Sequence, residues 1–452
     1  MEVFMRMRNV SKIISTRKVQ KIQLNCSLRA IDDYPKLFTE EPPRYDLIAL
    51  CLILGLYCVI GIAELISEYG FPAVERISST FGFTRDVSGA ILIAGASSAP
   101  EIFINLYATL FTEGDLGIGT IIGSSVFNIL AIPAMCGFLS GPMGIAMDWW
   151  PITREILLYS FSVGMLTGFL LSGTIEWMEA LTLLIIFIMY LVWLLFLNRV
   201  AVNRCRRTDR ECACKCFRVE ATVIEDEGKI REYETDSPFN FFKWPTGKLY
   251  VKFNWILTYP FHLAFFFTIP NCKRRLTRRL SLLSFIMFVI WIVTLMYVIT
   301  WTATVIGFHL DIPDVIMNMT LLAAAVSVPE LLFCRTVVKK GFGSMALCSA
   351  IASNTIDVTF VLSFPWLLKS TVAMHLGRTN FVTFISEALY VNTAVVFLST
   401  FIFYISLMGS RFYLTTTLGI ICFFWYCSYV IIITTIDINT FSPISLPKCT
   451  LG

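Results

Sequence analysis

A duplicated segment constrains this chain more than any other feature of its sequence. Residues 94–101 read AGASSAPE, and residues 323–330 read AAAVSVPE. At the same offset of 229 residues, GSSVFN at 123–128 matches ASNTID at 352–357. Two matches at one offset indicate an internal repeat, so the chain is predicted to contain two related halves.

The composition places both copies in a membrane. Of the 452 residues, 56% are hydrophobic and only 15% are charged, whereas a soluble domain carries about 25% charged residues. These values exclude a cytosolic enzyme and a secreted disulfide scaffold. The apolar residues form long unbroken runs, which argues against the alternating strands of a membrane β-barrel. The predicted fold class is an all-α polytopic membrane protein.

Ten apolar segments are long enough for a membrane helix, which needs about 20 residues. They form two groups of five, separated by the polar stretch 199–248. The predicted spans are 46–66, 87–111, 116–138, 152–173 and 178–198 in the first half, and 280–304, 315–338, 345–368, 382–408 and 413–436 in the second.

Positive charges set the predicted topology. The stretch 199–248 is rich in Lys and Arg and is therefore predicted to be cytoplasmic. The basic cluster at 273–279 is predicted to be cytoplasmic for the same reason. The apolar segment 250–270 lies between these two cytoplasmic stretches, so it is predicted to be interfacial or re-entrant. The resulting regions are an extracellular segment 1–45, a first half 46–198 with its repeat at 87–138, a cytoplasmic loop and interfacial segment 199–279, a second half 280–436 with its repeat at 315–368, and an extracellular tail 437–452.

Because each half has an odd number of spans, the second half enters the membrane in the opposite orientation. Such inverted repeats are typical of secondary transporters, which bind their substrate near the bilayer midplane between interrupted helices. Pro100 and Pro329 are predicted to interrupt one helix in each half. The carbonyls of Ala94 and Ala323, about one turn earlier, are expected to be freed as cation ligands.

Three carboxylates lie inside the predicted spans of the repeats, where a charge is costly and therefore a functional candidate. They are Glu101, Glu330 and Asp357, and Asn128 occupies the position that matches Asp357. Hydroxyls complete the predicted site at Ser98, Ser124, Ser327 and Ser353. These are all oxygen ligands, which suit hard cations such as Ca²⁺. The alternative for each glutamate alone is a structural role at the helix break.

At these two segments the chain resembles the cation/Ca²⁺ exchanger superfamily, and more closely its potassium-dependent sodium/calcium exchangers. The resemblance is carried by GASSAPE with GSSVFN, by AAAVSVPE with ASNTID, and by the flanking NCSLRAIDDYPKLFTEE and FPWLLKS. It implies ten core helices and alternating access. It also implies Na⁺ entry coupled to exit of Ca²⁺ with K⁺ across the plasma membrane.

The resemblance makes Glu101 and Glu330 the central Ca²⁺ ligands, and Asp357 the residue that favours K⁺ co-transport. The chain also departs from the family pattern. Val326 stands where a Thr is usual, Ala325 and Ala352 stand where Gly is usual, and Glu330 stands where Asp is usual.

Two alternatives remain open at this point. One is a Ca²⁺/H⁺ exchanger of the same fold, and the other is a transport-inactive, Ca²⁺-binding membrane relative. The expected partners are the ions Ca²⁺, Na⁺ and K⁺ and the lipid bilayer, with no nucleic acid. We expect no cofactor and no enzymatic activity. The tripeptide at Asn25 is predicted to be a glycosylation site, and a disulfide between Cys26 and Cys449 is left open.

Overall fold

The computed structural model describes residues 45–112, 116–141, 144–171, 174–207, 249–270, 280–310, 312, 314–375, 381–383 and 388–437. The predictions at Asn25, Cys26 and Cys449 fall outside the described residues, as does most of the polar stretch 199–248.

The described chain is helical apart from two short ribbons. In the first half the elements are α1 Tyr45–Leu65, α2 Phe71–Phe81, α3 Arg85–Ser88, α4 Ala94–Ser97, α5 Ala99–Tyr107, α6 Leu116–Val126, α7 Ile132–Leu139, β1 Ile145–Ala146, α8 Trp149–Leu170, β2 Thr174–Glu176 and α9 Trp177–Arg207. After α10 Leu249–Thr268, the second half has α11 Ser281–His309, α12 Asp314–Met317, α13 Ala323–Val326, α14 Val328–Lys339, α15 Gly343–Ile356, α16 Ser363–His375, β3 Phe381–Thr383, α17 Ala388–Gly409, β4 Tyr413–Leu414 and α18 Thr416–Asp437. Short π-helical segments join several of these helices: Ile66–Gly70, Gly89–Ile93, Ala108–Thr112, Phe127–Ala131, Asn318–Leu322 and Asp357–Val361.

Several membrane spans consist of α-helices that continue through these π-helical segments. Among the described residues, eight helices are long and apolar enough to cross a bilayer, and a ninth is the bent pair Asn318–Val326 and Val328–Lys339. The helix Trp149–Leu170 lies at the fourth predicted span, 152–173, although it is not among these nine. The first span is longer than predicted and reaches from Tyr45 to Phe81.

The repeat is visible in the backbone as well as in the sequence. The π-helical segments Gly89–Ile93 and Asn318–Leu322 are followed by the one-turn helices Ala94–Ser97 and Ala323–Val326. Each one-turn helix is followed by a serine, Ser98 or Ser327, and then by a new helix that carries proline near its start. All of these features recur at the repeat offset, so the two halves share the same helix interruption.

The loops that the topology places on one side of the membrane lie together. β1 pairs antiparallel with β4, with Ile145 opposite Leu414. β2 pairs antiparallel with β3 on the predicted opposite side, with Ile175 opposite Val382. Each ribbon joins the loop between the third and fourth spans of one half to the loop between the fourth and fifth spans of the other. The ribbons are therefore equivalent under the inverted repeat and connect the halves at both ends.

The segment predicted to be interfacial contains the helix Leu249–Thr268. Its aromatic rings pack on the first spans of both halves: Phe261 lies 4.6 Å from the ring of Tyr57, and Phe265 lies 5.1 Å from the ring of Trp291. The Trp291 indole N–H also donates a hydrogen bond of 2.8 Å to the Thr268 hydroxyl. That this helix does not cross the membrane stays a prediction.

Candidate cation site

The helix interruptions place a glutamate at the start of a new helix in each half. Ser98 precedes α5 and Ser327 precedes α14, each with a backbone conformation that ends the preceding turn. Glu101 and Glu330 then lie in the first turn of α5 and α14. The free N–H groups at a helix start favour negative charge, so this position stabilises a carboxylate inside the membrane domain.

All ten candidate residues are buried, and the two halves bring them into one interior region. Glu101 and Glu330 are each 2% exposed, and Asp357 is 0% exposed. The other seven are also buried: Asn128, Ser98, Ser124, Ser327, Ser353, Ala94 and Ala323.

The carboxylates meet across the boundary between the halves. Asp357 of the second half interacts electrostatically with Glu101 of the first half and with Glu330 of its own half. Glu330 in turn lies beside the hydroxyl of Ser97, and Asp357 lies beside that of Ser98. The site is therefore shared by both copies of the repeat.

Most side-chain oxygens of this cluster have no hydrogen-bond partner among the described residues. Both carboxylate oxygens of Glu101, Glu330 and Asp357 are buried and lack hydrogen-bond geometry with any described residue. The same holds for Asn128 Oδ1 and for the hydroxyls of Ser98 and Ser327. Buried polar atoms are almost always satisfied in native proteins, and a shared group of unsatisfied acceptors indicates a ligand that supplies positive charge.

Another buried carboxylate, in the fourth span, shows what a structural role looks like here. Glu155 is 0% exposed, but its Oε1 accepts from Arg154 Nη2 at 2.5 Å and its Oε2 accepts from the Tyr190 hydroxyl at 2.9 Å. This glutamate is fully paired. Glu155 lies outside the repeat segments and was not predicted from the sequence. Its pairing, rather than its burial, distinguishes it from the carboxylates of the cation site.

Two of the candidate hydroxyls are oriented by their own helices. Ser124 donates to the Ile121 carbonyl at 3.1 Å, and Ser353 donates to the Ala350 carbonyl at 2.9 Å. Because the proton points back along the helix, the oxygen lone pairs face away from that carbonyl. A hydroxyl in this state remains able to accept a cation.

The prediction that proline frees the Ala94 and Ala323 carbonyls is wrong. The Ala94 carbonyl accepts from the Ser98 N–H at 3.0 Å and from the Ser97 hydroxyl at 3.1 Å. The Ala323 carbonyl accepts from the Ser327 N–H at 3.2 Å. Because proline has no N–H, the carbonyl that loses a helical hydrogen bond lies four residues before it, at positions 96 and 325. The carbonyls of Ala94 and Ala323 therefore keep their backbone hydrogen bonds. As ligands they stay a prediction.

Two residues that were not predicted from the sequence also take part in the cluster. Ser97 lies beside Glu330, as described above, and Asn354 contacts Asn128. Neither has a counterpart of the same type in the other copy, where Val326 and Ser125 occupy the matching positions. Comparing the copies for identity therefore passed over them.

Comparisons with known proteins agree with this architecture. A family described as "Sodium/calcium exchanger protein" matches residues 47–196 and 280–435. Human sodium/potassium/calcium exchanger 5 is 29% identical over 443 residues, covering 89% of this chain and 86% of that protein. Mouse sodium/potassium/calcium exchanger 3 is 24% identical, covering 94% and 87%.

The fold is also found among solved structures. The sodium-calcium exchanger NCX_Mj, soaked with zero Na⁺ and Ca²⁺, superimposes with a TM-score of 0.53 at 20% sequence identity. The match covers 88% of this chain and 100% of that one. At this identity the similarity concerns the fold, and it supports an all-helical membrane exchanger architecture.

Proposed function

Because this chain belongs to the sodium/calcium exchanger protein family, we propose that it is a secondary antiporter that carries Na⁺ inward and Ca²⁺ together with K⁺ outward. It works by alternating access: the two inverted halves hold one central site that opens to each side of the membrane in turn. The plasma membrane is the proposed location.

One observation supports this function most directly, namely the buried group of unsatisfied oxygens between the halves. Ca²⁺ takes about 6–8 oxygen ligands, and the nine unsatisfied carboxylate, amide and hydroxyl oxygens of this cluster are enough to supply them. The proposed ligands are the side chains of Glu101, Glu330, Asp357, Asn128, Ser98, Ser124, Ser327 and Ser353, with the carbonyls of Ala94 and Ala323.

Charge balance explains why the ions exchange. If Glu101, Glu330 and Asp357 are ionised, they carry a total charge of −3. One Ca²⁺ with one K⁺ neutralises that charge, and so do about three Na⁺. The two sets of ions compete for the same oxygens, and the ion gradients decide which set leaves on which side.

Asp357 is the basis for including K⁺. A carboxylate here adds one negative charge relative to the amide at the matching position, Asn128. That charge compensates for a monovalent cation beside Ca²⁺. The names of the relatives described above support the same three ions for this chain.

The test is a flux measurement in cells that express the full chain and are loaded with Na⁺. We expect Ca²⁺ uptake that requires both the outward Na⁺ gradient and external K⁺. Uptake driven by a pH gradient instead would favour the Ca²⁺/H⁺ exchanger. No flux from protein at the cell surface would favour the transport-inactive relative.

The site is tested by removing one charge at a time. Glu101→Gln and Glu330→Gln are each expected to abolish Na⁺-dependent Ca²⁺ uptake, because each loses a charge of the central pair. Glu176→Gln makes the same chemical change at an exposed position in β2 and serves as the control. Full activity in either of the first two variants would contradict the site.

A further inference from the structure

A chain of amide hydrogen bonds connects the two copies of the repeat behind the cation site. Asn354 Nδ2 donates to the backbone carbonyl of Ser125 at 3.1 Å, and Asn128 Nδ2 donates to Asn354 Oδ1 at 2.9 Å. Asn128 Nδ2 also lies 3.4 Å from the Ser353 hydroxyl. All of these groups are buried.

The hydrogen bond from Asn354 to the Ser125 carbonyl fixes which end of each asparagine amide donates and which end accepts. The two ends of an asparagine amide have nearly the same shape, but one end donates and the other accepts. A backbone carbonyl can only accept, so the Asn354 amino group must face Ser125. Asn354 Oδ1 must then face Asn128 and accept from its amino group.

The hydrogen bond from Asn128 to Asn354 also determines which atom of Asn128 is free to bind a cation. With Nδ2 of Asn128 held by Asn354, the opposite end of the amide is the oxygen Oδ1, which is buried without a partner. This is the end that a cation binds, whereas a reversed amide would present its N–H groups to the cation and repel it.

We propose that Asn354 is a positioning residue that fixes the amide of Asn128 with its oxygen toward the bound cation. We assign Asn354 no contact with the ion, because its Nδ2 faces the Ser125 carbonyl and its Oδ1 faces the Asn128 amino group. It acts on the ion through Asn128, from the position that matches Ser125 in the other copy.

This inference rests on the proposed function, in that the cluster binds Ca²⁺. The test is equilibrium binding of radioactive Ca²⁺ to the purified full-length protein in detergent, which does not depend on turnover. Asn354→Ala is expected to raise the Ca²⁺ dissociation constant about tenfold, the size of one charge-assisted contact. Thr355→Val is the matched control, because Thr355 is equally buried, bonds only its own helix, and has Val126 at its matching position.

A positioning role predicts that the effect depends on Asn128. In an Asn128→Ala background there is no amide to orient. In an Asn128→Asp background both ends of the side chain are oxygens. In each background, adding Asn354→Ala is expected to change the dissociation constant by less than about twofold, as coupling through one contact requires.

Different results would contradict the positioning role of Asn354 and the proposed cation site. An undiminished tenfold penalty in both backgrounds, or no penalty in the native background, would overturn the positioning role of Asn354. Unchanged Ca²⁺ binding in Glu101→Gln would instead overturn the proposed site. Either background alone suffices for the comparison if the other variant does not fold.

Discussion

Gly123 is the position where a single methyl group is expected to disturb the site most clearly. It lies in α6, directly before Ser124, and faces the helix interruption of the other half. A Cβ added there would lie 2.7 Å from Ala323 Cβ, 2.7 Å from the Met319 carbonyl oxygen and 2.9 Å from Met319 Cα.

The size of the effect follows from these distances. Carbon atoms in contact prefer roughly 3.5–4.0 Å, so Gly123→Ala forces α6 and the second-half segment apart by about 0.8 Å or more. Overpacking of this kind costs about 1–3 kcal/mol. The displaced elements carry Ser124 and Asn128 on one side and the start of the 323–330 segment on the other, so ligand spacing changes as well.

The assay combines thermal unfolding in detergent with Na⁺-dependent Ca²⁺ uptake. We expect Gly123→Ala to lower the melting temperature and to reduce uptake at least tenfold, since a misplacement of about 1 Å in a binding constellation is costly. Gly168→Ala is the control: it makes the same substitution inside α8, where an added Cβ meets nothing within 4 Å.

A second variant tests whether the contact with Ala323 Cβ accounts for part of the effect. Ala323→Gly removes one of the two 2.7 Å contacts and leaves the contact with the Met319 carbonyl. Adding it to Gly123→Ala is therefore expected to restore activity only in part. If Gly123→Ala matches Gly168→Ala in both stability and flux, the close approach of the two halves has been misjudged.

Three further predictions concern charge and hydroxyl groups. Asp357→Asn is expected to weaken the K⁺ dependence of Ca²⁺ uptake while leaving some transport, and unchanged K⁺ dependence in a K⁺ titration would remove the argument for K⁺. Val326→Thr adds a hydroxyl at the position matching Ser97 and is expected to lower the half-saturating Na⁺ concentration severalfold, at roughly 1 kcal/mol per contact; a higher or equal value would count against a ligand role there. Arg154→Met leaves the Glu155 charge buried and is expected to destabilise the protein by about 3–5 kcal/mol, whereas adding Glu155→Gln should recover most of that loss in a melting experiment.

Much of the architecture could be predicted because the membrane restricts the choices. Long apolar runs give helices, and the repeated PE motif locates the interruption, since proline cannot continue the preceding hydrogen bonds. The length of the first span was underestimated. Beyond Leu65 the sequence turns polar, yet the helix continues to Phe81 with Ile66, Tyr69 and Phe71 buried.

The details of the site needed three-dimensional contacts. The Ala94 carbonyl keeps its backbone bond, as the four-residue spacing from Pro100 to Ala96 implies, but its second bond, from the Ser97 hydroxyl, could be seen only in the structure. The link between Asn354 and Asn128 joins residues that do not match under the repeat. Likewise, only the pairing of the buried Glu155 with Arg154 and Tyr190 explains why the fourth span carries this carboxylate.

The bonds across the repeat have a consequence for how the protein is made. The hydrogen bonds of Asn128 and Asn354 join residues 225 to 229 positions apart. Contacts this distant in sequence form late, after the ribosome has released both partners. The first half must therefore enter the bilayer with Glu101 and Asn128 still lacking the second half. During that interval it is an incomplete protein that carries a costly charge in lipid. We expect its survival in the cell to depend on how quickly α15 arrives, so changes in the connecting loop would affect the yield of folded protein before they affect transport.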